Sequence, residues 1–100
     1  MAKKVGKPKQ YERYIPTPDQ WYPNYPGDTV RVRVSDVTTI WDTLAIRISV
    51  WGGDDCGMEL DEYFTTHREK NKAYKHWCSL IESWQSISKQ QLTDAGFVRA

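Results

Sequence analysis

Two alternating stretches decide the fold: Val30-Arg31-Val32-Arg33-Val34 and Leu44-Ala45-Ile46-Arg47-Ile48-Ser49-Val50-Trp51. Successive side chains of a β-strand point to opposite faces of the sheet. One face of each stretch is therefore aliphatic. The opposite face would carry Arg31, Arg33, Arg47 and Trp51. The pattern predicts a small sheet with one face for the core and a second face that is basic and partly aromatic.

Weaker strand signals follow these two stretches. Residues 58–64 alternate less clearly and predict a third antiparallel strand, after a turn rich in glycine and aspartate at residues 52–57. Residues 97–100 predict either a fourth, short edge strand or a frayed end. Residues 36–43 are predicted to form a loop, because Asp36 and Asp42 interrupt the alternation.

Helix signals dominate the C-terminal part of the chain. Thr66 to Glu69 form a T-x-x-E capping box, and apolar residues then recur at spacings of three and four: Ala73, Trp77, Leu80, Ile81 and Trp84. A second capping box at residues 88–91 opens a short helix, which Gly96 would end in a left-handed conformation. The predicted fold is α+β: an antiparallel β-meander of about three strands, packed on one face by a long amphipathic helix, with a short C-terminal helix.

The N-terminal part has a different composition. Residues 1–10 are polar and basic, and are predicted to be a disordered tail. Residues 11–26 mix aromatic side chains with prolines, which predicts an extended or polyproline-like arm rather than a helix or a central strand. The arm would cover either its own core or a partner. Residues 11–100 are predicted to form one domain.

Length and charge limit the function classes. The chain has 100 residues and a net charge of +1, which by itself favours no class of partner. Lysines cluster in the basic tail, and acidic residues cluster at positions 54–62. No apolar stretch is long enough for a membrane span or a signal sequence, so we expect a cytoplasmic protein without membrane contact. Cys56 and Cys78 are then expected to be free thiols.

No residue pattern names a reaction. On one helix His67 and His76 would point in opposite directions, so they could not share a metal. Cys56 has acidic neighbours, which disfavour a reactive thiolate. We therefore predict no catalytic residue, no metal site and no cofactor, and do not expect an enzyme. The third hypothesis is a small enzyme or enzyme subunit whose site is completed by oligomerisation.

The sequence is best interpreted as a small non-catalytic binding or regulatory protein. It would act on a protein partner as an adaptor or inhibitor, of the kind that phages and mobile elements encode. Self-association is left open. The candidate partner-binding residues are Arg31, Arg33, Arg47, Trp51, Tyr22, Tyr25, Asp54 and Asp55.

The alternative is a nucleic-acid-binding module. Basic and aromatic side chains on a sheet face can neutralise phosphates and stack on bases. The residues that would serve this role are Lys3, Lys4, Lys7, Lys9, Arg31, Arg33 and Arg47.

Overall fold

A single antiparallel sheet organises the chain in the computed structural model, which describes residues 9–21, 29–52 and 57–100. The strands lie in chain order, so the predicted meander is confirmed, with five strands rather than three or four. They are β1 (Gln10–Pro16), β2 (Thr29–Asp36), β3 (Ala45–Trp51), β4 (Gly57–Tyr63) and β5 (Val98–Arg99). The helices are α1 (Thr38–Trp41), α2 (His67–Ser83) and α3 (Lys89–Asp94). No helix in these described ranges is long and apolar enough to cross a membrane.

The predicted core face is confirmed. We call the face that α2 covers the inner face, and the opposite one the outer face. The aliphatic side chains of the central strands on the inner face are at most 1% exposed: Val30, Val32, Val34, Ile46, Ile48 and Val50. Burying a side chain of this kind contributes about 1.5–3 kcal/mol before the entropy of ordering is subtracted.

The N-terminal part of the chain supplies an edge strand whose pairing was not predicted. Residues 11–16 were predicted to be extended, as neither a helix nor a central strand, and β1 pairs with β2 along its whole length, from Gln10 opposite Ser35 to Pro16 opposite Thr29. The strand begins at Gln10, inside the predicted tail. Proline is compatible with an edge strand, and Pro16 ends this one. The backbone N–H of Ile87 donates to the carbonyl of Pro16 at 3.0 Å.

A short helix replaces the predicted loop between β2 and β3. The carboxylate of Asp36 accepts a hydrogen bond from the backbone N–H of Thr38 at 3.1 Å, just where α1 begins. Asp42 ends the helix in the left-handed region, with φ 55°. Aspartate tolerates this conformation better than most residues, so the residues that interrupt the strand pattern also bound this helical turn.

The longer helices begin as predicted, with one change. The Thr66 hydroxyl caps α2 by accepting from the backbone N–H of Glu69 at 3.1 Å. The Glu69 carboxylate accepts from the hydroxyls of Thr65 and Thr66 instead of the Thr66 backbone N–H, so this capping box is half formed. The second capping box, which precedes α3, is complete.

The end of α3 also follows the prediction. Gly96 has a φ of 101°, the left-handed conformation expected of a glycine after a helix. The buried Phe97 then donates its backbone N–H to the carbonyl of Leu92 at 2.9 Å. This turn directs the last residues into β5, so the edge strand, rather than a frayed end, is present.

The buried side of α2 differs in part from the predicted one. Lys70, Tyr74 and Ile81 are the buried residues of this helix, whereas Trp77 and Trp84 are only partly buried. The buried lysine accounts for the difference. Asp36 follows the aliphatic residues of β2 on the inner face, and the Lys70 ammonium lies 2.8 Å from its carboxylate. This ion pair turns the N-terminal half of α2 towards β2.

The environment of Asp36 shifts its titration. Burial alone would raise the pKa of this carboxyl group, but hydrogen bonds from Lys70 and Thr38 outweigh burial, and the pKa is lowered from the ordinary 3.8. A carboxylate with a lowered pKa in the folded state stabilises the fold above its unfolded-state pKa. That stability is lost as the pH falls through the lowered value.

We predict that Asp36→Asn destabilises the fold by about 3 kcal/mol at pH 7, because it leaves the Lys70 charge buried without its partner. The variant should also lose less stability than wild type as the pH falls below 3.8. Urea unfolding at several pH values measures both effects. Asp42→Asn is the control, because Asp42 is exposed and asparagine suits its backbone conformation. Equal stability of the two variants would contradict the prediction.

The other end of α2 is held by Arg13, whose side chain belongs to the inner face. Its Nη1 donates to the carbonyls of Ile81 at 2.5 Å, Glu82 at 3.0 Å and Trp84 at 2.8 Å. The last carbonyls of a helix have no donor within the helix, and the helix dipole favours a cation there. Arg13 therefore joins the edge strand to the end of the main helix.

Replacing Arg13 with methionine should destabilise the fold by about 2 kcal/mol, because the charged donor to these carbonyls is lost while much of the side-chain volume remains. The urea midpoint measures the effect. Arg68→Met, at an exposed position in the first turn of α2, is the matched control. An Arg13 variant within about 0.5 kcal/mol of this control would show that the contacts do not hold α2 in place.

Candidate functional site

The outer face carries the predicted quartet. In the strand register Arg31 lies opposite Trp51, Arg33 opposite Ser49, and Arg47 opposite Ser35. All these positions alternate with the buried valines and isoleucines, so the four predicted side chains lie on one face. The four residues share one face as predicted, but this face also carries carboxylates that were not predicted there.

A single carboxylate on β1 binds both arginines of β2. Glu12 accepts hydrogen bonds from Arg33 at 3.0 Å from Nε and 2.6 Å from Nη2. The Arg31 Nε lies 3.7 Å from the same oxygen. The pairing follows from the register, because Glu12 lies directly opposite Arg33.

Arg47 is more completely bound than the other two arginines. Asp61, directly opposite on β4, accepts from its Nε at 2.7 Å and from its Nη2 at 3.0 Å. The remaining Nη1 lies 3.3 Å from Glu59. The hydrogen bond with Asp61 is the main reason that the pKa of Arg47 is raised. The guanidinium carbon also lies 4.7 Å from the ring centre of Trp41, close enough for a cation–π contact.

The outer face is therefore mixed in charge rather than basic. Its three arginines are matched by three carboxylates, those of Glu12, Glu59 and Asp61, so their formal charges cancel. This cancellation was not predicted, because Glu12 was assigned to a separate arm and the sequence does not define the register of β4. Surface ion pairs of this kind contribute little to stability. Their main effect here is to engage the guanidinium groups, which would otherwise face a ligand.

Aromatic side chains extend the candidate site at the Arg47 end. The ring centres of Trp41 and Tyr63 are 6.3 Å apart, and Tyr63 is 65% exposed. Ile40, on the same short helix as Trp41, is 62% exposed. We call Ile40, Trp41, Arg47 and Tyr63 the end patch. Its aromatic members were not predicted, because α1 was expected to be a loop; the adjacent apolar residues Ile40 and Trp41 are the signal in the sequence that could have indicated them.

A second aromatic row lies towards the other end of the outer face. Tyr14, Arg31 and Trp51 are neighbours across β1, β2 and β3. Tyr14, which belongs to the predicted arm, is 58% exposed, because it alternates with the inner-face residue Arg13. The indole of Trp51 lies over Gly57, where an added Cβ would be 2.4 Å from the ring.

Among the other predicted site residues, only Lys9 is described by the structure. Tyr22, Tyr25, Asp54, Asp55, Lys3, Lys4 and Lys7 lie outside the described residues. The Lys9 ammonium lies 4.6 Å from the ring centre of Tyr74 on α2. Lys9 is thus directed towards the helix side of the sheet, away from the outer-face arginines with which it was grouped.

The histidines and the described cysteine lie on α2, away from the outer face. His67 and His76 are exposed on α2. Cys78 is a free thiol whose pKa is raised by burial, which keeps it protonated and weakly nucleophilic. Burial also raises the pKa of the neighbouring Tyr74 to about 12. Among the described residues, no group of three or more His, Cys, Asp or Glu side chains is placed to hold a metal ion.

No protein-family model matches the chain, and searches of curated proteins and of solved structures find no match. We therefore infer the function from the side chains of the outer face.

The two glycines under tryptophan rings should respond differently to an added methyl group. We predict that Gly57→Ala costs about 1 kcal/mol, because the Trp51 ring can swing away from the sheet on the outer face. Gly52→Ala should cost about 3 kcal/mol, because its Cβ would lie 2.2 Å from the Cβ of the buried Trp21, an atom that moves only with the backbone. Urea unfolding measures both losses, and indole N–H resonances report the ring movement. Equal losses of stability in the two variants would contradict the expectation that the Trp51 ring can move away from Gly57.

Proposed function

We propose that this protein is a non-catalytic binding module that recognises a protein partner through the outer face of its sheet, with the end patch as the main contact. The role would be that of an adaptor or inhibitor. The cytoplasm is the expected setting, on the ground of the composition and the free thiol of Cys78.

One observation carries the proposal: an arginine, a tryptophan and an exposed tyrosine meet in the end patch. These three residue types dominate the binding energy of protein interfaces. Their rings bury a large area with little loss of conformational entropy, and they keep a polar group at the edge. Arg47 is already fixed by Asp61 and Trp41, so it would not need to be ordered on binding.

The charges favour a protein over a nucleic acid. Each outer-face arginine has a carboxylate partner, so a phosphate group would have to displace Glu12, Glu59 or Asp61 or approach beside it. Nucleic-acid affinity depends on cations that neutralise phosphates and release counterions. A face whose charges cancel supplies few of them. Mixed charges around aromatic rings instead suit the polar rim of a protein interface.

The test is photo-crosslinking in cells, with a photoreactive amino acid in place of Tyr63. The matched control places the same amino acid at Lys75, on the exposed side of α2. We expect a nuclease-resistant adduct with a discrete polypeptide from position 63 and none from position 75. Adding Trp41→Ala should reduce the adduct at least tenfold, as expected for an interface hot spot. Equal labelling from both positions would contradict the proposal.

The nucleic-acid alternative is tested by titration with labelled single- and double-stranded oligonucleotides at about 150 mM salt. We expect weak binding without sequence preference. The decisive variant combines Arg31→Glu with Arg33→Glu, two positions directed away from the core. Sub-micromolar binding that survives deletion of residues 1–10 and disappears in this variant would replace the protein-binding proposal with the alternative.

A further inference from the structure

A cavity of about 350 Å³ lies between α3 and the end of the sheet where β4 and β5 pair. It is lined by Trp21, Gly57, Met58, Lys89, Thr93 and Arg99. The volume is near the lower limit for small-molecule sites in proteins, which are usually clefts with apolar walls and a few oriented polar groups.

The described residues that line the cavity include two cations, Lys89 and Arg99, and none of these described residues is acidic. The Lys89 ammonium donates to the carbonyl of Gln20 at 2.9 Å and lies 5.2 Å from the ring centre of Trp21. Two contacts therefore hold one cation at the wall. The ring of Trp21 is itself fixed, because its Nε1–H donates to the hydroxyl of Thr17 at 3.0 Å.

Arg99 differs from the other arginines of the sheet. Arg31, Arg33 and Arg47 bind carboxylates, and Arg13 binds helix carbonyls. Within the described ranges the Arg99 guanidinium has no ion pair or hydrogen bond, although Met58 lies opposite it in the strand pairing. A planar guanidinium offers paired donors that match the oxygens of a carboxylate or a phosphate. Because Arg99 lines the cavity, these donors could bind an anion inside it.

We propose that this cavity binds a small organic anion: a carboxylate or phosphate group attached to a flat apolar body. The anionic group would be held by Arg99 and by the Lys89 ammonium. The flat body would contact Trp21 and Met58, whose indole ring and thioether suit an aromatic surface. The site is separate from the outer face, so the inference goes beyond the proposed protein-binding function and does not depend on it.

The test uses the full chain and four probes: phenyl phosphate, benzoate, inorganic phosphate and neutral benzyl alcohol. Two-dimensional NMR follows the amides of Gly57, Thr93 and Arg99 and the indole N–H of Trp21. We expect phenyl phosphate or benzoate to shift these resonances saturably, with the tighter of the two identifying the anionic group. Inorganic phosphate and benzyl alcohol should bind at least about tenfold more weakly, because each lacks one of the two recognised features.

Arg99→Gln should weaken the tighter aryl anion by about tenfold, and Arg68→Gln, the matched control, should leave it unchanged. Unperturbed amide resonances elsewhere will show that each variant is folded. The proposal is overturned if neither aryl anion shifts the cavity resonances up to about 10 mM, or if Arg99→Gln binds as wild type does. It is also overturned if inorganic phosphate binds as tightly as phenyl phosphate. None of these results affects the crosslinking test at Tyr63.

Discussion

The packing of α2 against the inner face is the interaction on which the rest of this structure depends. The aliphatic side chains of β2 and β3 supply the apolar contact, and a polar contact fixes each end of the helix. Lys70 meets Asp36 near the start of α2, and Arg13 binds the carbonyls at its end. Because α2 occupies this face, Arg31, Arg33, Arg47 and Trp51, which alternate with the buried side chains, are directed to the opposite side.

The net charge of the outer face depends on the strand register, which brings carboxylates opposite the arginines. Arg31, Arg33 and Arg47 read along the sequence look like a phosphate-binding surface. Across the strands the same arginines alternate with carboxylates, and their charges cancel. What remains distinctive is the aromatic content, concentrated around Trp41 and Tyr63. For this reason we propose a protein partner for this face rather than a nucleic acid.

The arginines of the outer face and of the cavity beside α3 have different partners. On the outer face Arg47 is saturated by Asp61 and Glu59, so it can act as a rigid part of a surface. In the cavity none of the described lining residues is acidic, and it is at Arg99 that we propose an anionic ligand. The same residue type is thus proposed for a macromolecular contact in one place and for a small anion in the other.

Local patterns along the chain were enough to predict part of this structure. Alternation predicted β2, β3 and the faces of their side chains, while capping residues and apolar spacing predicted α2, α3 and the turn at Gly96. Features that depend on residues far apart in the chain became visible only in the folded protein. Arg13 binds a carbonyl 68 residues away, and Glu12 meets Arg33 across 21 residues, so neither β1 nor the charge of the outer face could be derived from local periodicity. The joining of Trp41, Arg47 and Tyr63 likewise required the register of β3 and β4, which only the folded sheet defines.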